Sequence, residues 1–197
     1  MRFTVANWLT VSRVPAMFVI VWLMNREFAW AATIAFWLFI AAALTDWFDG
    51  MVARARGEVS SFGRFMDAVI DKVMVIGLMI ALVVGNYFMG HEVAAMVLLL
   101  CILGREFTVS GMRMAAAVKG ITIEADTGGK VKTFVQMNAI GWLMGARMFG
   151  RDFGELLPAT VINGVHWGGL GLYVLSAVLT ITSAISYFRR HGHVVLD

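Results

Sequence analysis

The chain has 197 residues, 60% of them hydrophobic and only 15% charged, with a mean hydropathy of +0.79. That balance excludes an ordinary soluble domain and, with long apolar runs, indicates an all-α polytopic membrane protein. The formal net charge is +3, and the single cysteine, Cys101, excludes an internal disulfide; within an apolar run it reads as a small packing residue. With 2 prolines and no serine- or charge-rich linker, residues 1–197 read as one membrane domain.

In chain order, Arg2, Asn7, Trp8 and Arg13 describe an N-terminal interfacial segment that then turns into the bilayer. Arg13 breaks the first apolar stretch and further spans follow, so this is not the pattern of a cleavable signal. The first span is expected to end at Met24, with Asn25, Arg26 and Glu27 as a loop. A second covers Ala29 to Arg56 and a third Ser61 to Val84. A loop from Asn86 to Glu92 leads to a fourth, Val93 to Val118. The polar stretch Lys119 to Gly129 precedes a fifth, Lys130 to Arg147, and after a loop to Pro158 a sixth ends at Phe188. These are about six helices, each near the roughly 20 residues that cross the hydrocarbon core.

Alternating spans put Arg26, Arg147 and Arg151 on one side, without any lysine. The remaining basic residues fall on the other side, with both termini. The positive-inside rule makes that second side cytoplasmic, in the cell membrane, and the basic rim favours anionic headgroups and substrates. Arg2, Lys119, Arg189 and Arg190 read as topology determinants only.

Against this apolar background four carboxylates stand out between Thr45 and Lys72. Asp46 and Asp49 are three apart, and Asp67 and Asp71 four apart, so each pair shares one helix face. Gly57 and Ser60-Ser61 supply a turn and a helix start between them. A fold-back near Glu58 would put both pairs about 16 Å along antiparallel helices, level with one another. Four uncompensated negative charges at that depth must protonate or acquire cations, because desolvation costs several kcal/mol per ion. Two divalent cations balance the charge, and oxygen-only ligands suit Mg²⁺ or Mn²⁺. Paired metals on shared carboxylates are a device of phosphoryl transfer.

The wider pattern is more specific: Asp46, Asp49-Gly50, Ala53-Arg54, Gly63, Asp67 and Asp71, in that spacing. It resembles the signature of the CDP-alcohol phosphotransferases at every one of these positions. The resemblance implies that the aspartates bind two metal ions and that Asp71 also takes the proton of the acceptor hydroxyl. It implies that Asp46, Gly50, Ala53, Arg54 and Gly63 form the nucleotide pocket for the donor. One departure from the nearest branch is Ala68, where relatives often carry proline.

A second polar cluster, Arg105-Glu106 and Arg113, lies inside the fourth span, where charge is costly and faces a cavity or a partner. Glu106 is open to a purely structural pairing with a nearby arginine. Lys130 and Lys132 stand at the mouth of the fifth span, where snorkelling is the simpler account. Both stretches, and Asn7, Leu9, Thr10 and Arg13, resemble the phosphatidylglycerophosphate-synthase branch of that family. That branch implies a basic pocket for the phosphate of glycerol 3-phosphate, with Arg105, Arg113, Lys130 and Lys132 as its candidates. An arginine fork fits a phosphate dianion well.

Gly141 and Gly145 form a small-xxx-small surface for helix packing or a dimer contact. Trp30, Trp47, Trp142 and Trp167 read as interface anchors or bundle packing. His91, His166, His191 and His193 lack metal-site spacing. The resemblance therefore implies transfer of a phosphatidyl group from CDP-diacylglycerol to glycerol 3-phosphate, with release of CMP, by a homodimer in the lipid bilayer that binds no nucleic acid. The alternatives are another acceptor, such as inositol phosphate or serine, or a cation or proton transporter using the aspartates as a relay. A transporter would have no need of the glycine, alanine and arginine positions.

Overall fold

The computed structural model describes residues 5–56, 61–121 and 127–196, with side chains for 11–45, 66, 68–121, 129 and 131–190. These form six α-helices: α1 Val5–Met24, α2 Ala31–Arg56, α3 Ser61–Val84, α4 Glu92–Val118, α5 Thr127–Asp152 and α6 Ala159–Leu196. No strand occurs among the described residues. Glu92–Val118 and Ala159–Arg190 are long and apolar enough to cross a membrane, and Val11–Met24 and Ala31–Thr45 are shorter apolar stretches. The outer surface carries Phe18, Trp22, Trp37, Val93, Phe107, Phe134 and Trp167, all exposed, as suits helices solvated by lipid rather than water.

Sequential order does not give the packing order. Among the described residues α1 packs on both α2 and α3, and α5 touches both from another side, while α2 and α3 do not meet directly. The turn expected near Glu58, with Gly57 and Ser60, lies outside the described residues. α4 and α5 both pack on α6. The core runs through Ile20, Met24, Leu78, Met79, Leu82, Leu99, Ile140 and Leu143.

Close helix approach is set by small residues. A Cβ on Gly141 would lie 3.3 Å from Phe39, and one on Gly145 3.4 Å from Phe36. The small-xxx-small surface of α5 therefore receives α2 of the same chain. α4 ends where Gly120, at φ 76°, donates to the Ala117 carbonyl while Ile121 donates to that of Ala116, the paired bonds of a Schellman cap.

Besides small shifts at the starts of α2, α4 and α5, three larger differences from expectation occur. α1 is one helix from Val5 to Met24 with Pro15 inside it, not a separate interfacial segment followed by a span. Arg13, expected at the interface, is 2% exposed because an acidic partner within the bundle allows it to be buried. α5 runs past Arg147 to Asp152, since Arg151 and Asp152 both find partners at the start of α2 and the connection before it. α6 runs past Phe188 to Leu196; the only glycine there, Gly192, costs a helix about 1 kcal/mol, too little to stop it.

Candidate active site

A cavity of about 1250 Å³ opens between α2, α3, α4, α5 and α6. Its two parts differ in chemistry. Phe36, Phe39, Ile40, Leu44, Trp142 and Phe149 line an apolar part between α2 and α5, whereas Asp71, Lys72, Arg105, Glu106, Arg113 and Lys132 line the polar part.

Helical periodicity explains why these charges meet. On α4, Arg105, Val109 and Arg113 recur every four residues, with Glu106 and Ser110 one position along. On α5, Gly129, Lys132, Thr133 and Gln136 lie on one side. On α6, Ser183 and Tyr187 are four apart.

Asp71 and Arg13 form an ion pair, Arg13 Nη1 donating to Asp71 Oδ1 at 2.8 Å. The arginine is buried, whereas the aspartate side chain is 39% exposed and reaches the cavity. Met17, one turn beyond Arg13, puts its sulfur where a Cβ on Gly77 would be 2.7 Å away. The glycine thus lets α1 lie close to α3 and brings the guanidinium level with the carboxylate.

The cations on the other wall are held in fixed positions. Lys72 donates to Ser110 Oγ, which itself donates to the Glu106 carbonyl at 2.7 Å. Arg105 uses Nη1 on Glu106 Oε1 and Nη2 on Ser183 Oγ, each at 2.9 Å. Lys132 also donates to Glu106 Oε1. Arg113 donates from Nε to the Tyr187 hydroxyl at 3.1 Å and stands 5.5 Å from that ring's centroid. Among the described residues four cations face two carboxylates, so this wall of the cavity carries a net positive charge, suited to an anion.

The structure brings together Asp71, Arg105, Arg113 and Lys132 of the residues expected from sequence. Lys132 is 4% exposed, which replaces snorkelling with a buried contact. Asp46, Asp49, Gly50, Ala53 and Arg54 fall on the last turns of α2, Gly63 and Asp67 on the first turns of α3, and Lys130 near the start of α5; the side chains of all these lie outside the described residues. Among the described residues no group of three His, Cys, Asp or Glu gathers. An oxygen-only donor set spread over α2 and α3 still fits a hard divalent cation, and its described member, Asp71, presents an accessible carboxylate.

Four participants escaped the sequence reading. Lys72 was overshadowed by its neighbour Asp71; Ser110, Ser183 and Tyr187 are ordinary residues of apolar helices. Arg13 stood out in the sequence as a charge breaking an apolar stretch, but only as an interfacial residue and not as the partner of Asp71.

The model of one family, CDP-alcohol phosphatidyltransferase, matches residues 3–186. The chain belongs to that family. It is 33% identical to the CDP-diacylglycerol–glycerol-3-phosphate 3-phosphatidyltransferase of Salmonella choleraesuis, over all of both chains. It is 36% identical to Arabidopsis thaliana CDP-diacylglycerol–glycerol-3-phosphate 3-phosphatidyltransferase 2, over 98% of this chain and 82% of the relative. A CMP-forming cardiolipin synthase of Oryza sativa is 32% identical over 98% of this chain and 59% of its own. Membership thus fixes the class of donor chemistry, and the polar part of the cavity must decide between acceptors.

Proposed function

We propose that the protein transfers a phosphatidyl group from CDP-diacylglycerol to the primary hydroxyl of sn-glycerol 3-phosphate, giving phosphatidylglycerophosphate and CMP. The observation that carries this is the convergence of Lys72, Arg105, Arg113 and Lys132 on a cavity shared with Asp71. A small phosphorylated acceptor needs such a cationic recess, and a neutral or lipid acceptor does not. The apolar part between α2 and α5 suits the acyl region of the donor.

Asp46, Asp49, Asp67 and Asp71 would hold two divalent cations, Mg²⁺ or Mn²⁺, and Gly50, Ala53, Arg54 and Gly63 the nucleotide. When bound, the cations supply charge neutralisation to the donor diphosphate and to departing CMP. Asp71 accepts the proton of the acceptor hydroxyl, whose oxygen attacks the phosphatidyl phosphorus as the bond to CMP breaks. Arg13, donating to Asp71 Oδ1, orients the carboxylate toward the cavity it shares with the cations. Arg105, Arg113 and Lys132, with Lys130 as a further candidate, hold the acceptor phosphate and bring the hydroxyl to the reacting centre.

The protein crosses the cell membrane several times in this reading, with both termini and the site on the cytoplasmic side. That side is where nucleotide-activated donors and sugar phosphates occur. Two copies pair in the membrane, as the family resemblance implies. CMP release from CDP-diacylglycerol, measured with glycerol 3-phosphate, inositol phosphate, serine and phosphatidylglycerol, tests the acceptor; a preference for any of the last three overturns it. In a Cys101→Ala background, single cysteines near Glu58 and Asp152 should be labelled from opposite sides, and labelling from one side refutes the topology.

A further inference from the structure

Glu106 sets a negative charge in the middle of a recess otherwise built for an anion. Both bonds it receives end on one oxygen: Oε1 accepts from Arg105 Nη1 at 2.9 Å and from Lys132 Nζ. Oε2 accepts no hydrogen bond among the described residues, and it is not sealed away, since Glu106 lines the cavity. Two charge-assisted bonds, from Arg105 and Lys132, therefore fix the carboxylate through one oxygen and leave the other as an acceptor on a residue that lines the cavity.

An accessible carboxylate oxygen there acts as a filter. It repels every anion to a similar degree and returns that loss only to a ligand that donates a hydrogen bond to it. Glycerol 3-phosphate has such a donor between its phosphate and its reacting hydroxyl, namely the secondary hydroxyl on the middle carbon. We propose that Glu106 is a specificity-determining residue that accepts a hydrogen bond from that secondary hydroxyl while Arg105 and Lys132 hold the phosphate. The proposal rests on glycerol 3-phosphate being the acceptor, and it selects for a phosphorylated vicinal diol over a phosphorylated alcohol that lacks the middle hydroxyl.

The test compares sn-glycerol 3-phosphate with 3-hydroxypropyl phosphate, which keeps the primary hydroxyl and the phosphate but has no middle hydroxyl. Full-length protein in detergent–lipid micelles, with CDP-diacylglycerol and Mg²⁺, is assayed for kcat/KM on each. A hydrogen bond to a charged acceptor predicts a wild-type preference for glycerol 3-phosphate of about 10- to 100-fold. In Glu106→Gln, Arg105 and Lys132 claim the amide oxygen and the NH₂ replaces Oε2, so the preference should fall below about threefold. If Glu106 only holds the two cations in place, both acceptors lose equally and the ratio stays as it was; that result overturns the proposal. Equal use of both acceptors by the wild type overturns it without any variant. Transfer to neither, with CMP released by another alcohol, fails the acceptor reading itself and takes the proposal with it.

Discussion

At the end of the bundle where α1 joins α2, α3 joins α4 and α5 joins α6, charged side chains are spent on backbone and hydroxyl groups. Asp152 accepts from Thr33 N at 2.8 Å and from Thr33 Oγ1 at 2.6 Å. Arg151 donates to the Arg26 carbonyl at 2.8 Å, and Arg147 stacks 4.6 Å over the Tyr87 ring. At the opposite end Asp71, Lys72, Arg105, Glu106, Arg113 and Lys132 line a cavity. The first arrangement ties helices together; the second keeps four cations near one another, a cost that Glu106 offsets in part and a bound anion would offset further. Charge at one end should therefore matter for stability, and at the other for turnover.

The largest effect that would sharpen this contrast is expected at Asp71. Asp71→Asn keeps the shape and one oxygen but removes the basicity. The rate at saturating substrates should fall about 10²- to 10⁴-fold, and excess Mg²⁺ or Mn²⁺ should not restore it. Recovery to near the parental rate at high metal would make Asp71 a ligand only. Next comes the cationic wall, where Arg113→Ala or Lys132→Ala should raise KM for glycerol 3-phosphate and leave that for CDP-diacylglycerol almost unmoved. A lost charge-assisted phosphate contact is worth about 1.5–3 kcal/mol, or roughly 10- to 150-fold. Equal losses for both substrates would point to misfolding and erase the contrast.

The apolar interior should answer in the reverse way. A Cβ on Gly169 would sit 3.0 Å from two Leu143 side-chain atoms and 3.1 Å from its backbone nitrogen, at the contact between α5 and α6. Backbone cannot swing aside as a side-chain tip can, so Gly169→Ala should cost about 1–3 kcal/mol. The thermal midpoint in micelles should fall while kcat/KM, measured below the transition, holds. A kinetic defect without a loss of stability would show that the two regions are coupled.

How far these regions were legible in the sequence follows from the range of the interactions. Spacing marks a helix face, so the alignment of Arg105 with Arg113 could be read directly. The ends of α3 were legible as Ser61 and Val84 for the same local reason. Which helix faces which is a long-range fact: nothing in the run from Val5 to Met24 says that Arg13 meets a carboxylate 58 residues on. Lys132 looked like a snorkelling residue because its partner, Glu106, lies on another helix. Gly141 and Gly145 announced close packing without naming Phe39 and Phe36 as the groups received. Ser183 and Tyr187 carry no signal at all, since only the fold makes them partners of Arg105 and Arg113.

The smallest effect predicted lies at Asp152, and it separates charge from hydrogen bonding at the tied end. Thr33 is the third residue of α2, so its N–H is among those that find no partner within the helix. The Asp152 carboxylate, arriving from the end of α5, supplies that acceptor and also places a negative charge at the positive end of the α2 dipole. Asp152→Asn keeps an oxygen for the Thr33 N–H and loses the charge, which should cost about 0.3–1 kcal/mol. Asp152→Ala removes both, leaving the N–H and the Thr33 hydroxyl to find water, and should cost about 1–2 kcal/mol. Thermal midpoints of the three proteins should therefore fall in the order wild type, Asn, Ala, with the first gap shrinking as salt is raised. Turnover below the transition should stay the same for all three. If Asp152→Asn instead slowed turnover on the scale expected of Asp71→Asn, charge at the tied end would be reaching the cavity, and the division of labour between the two ends would be wrong.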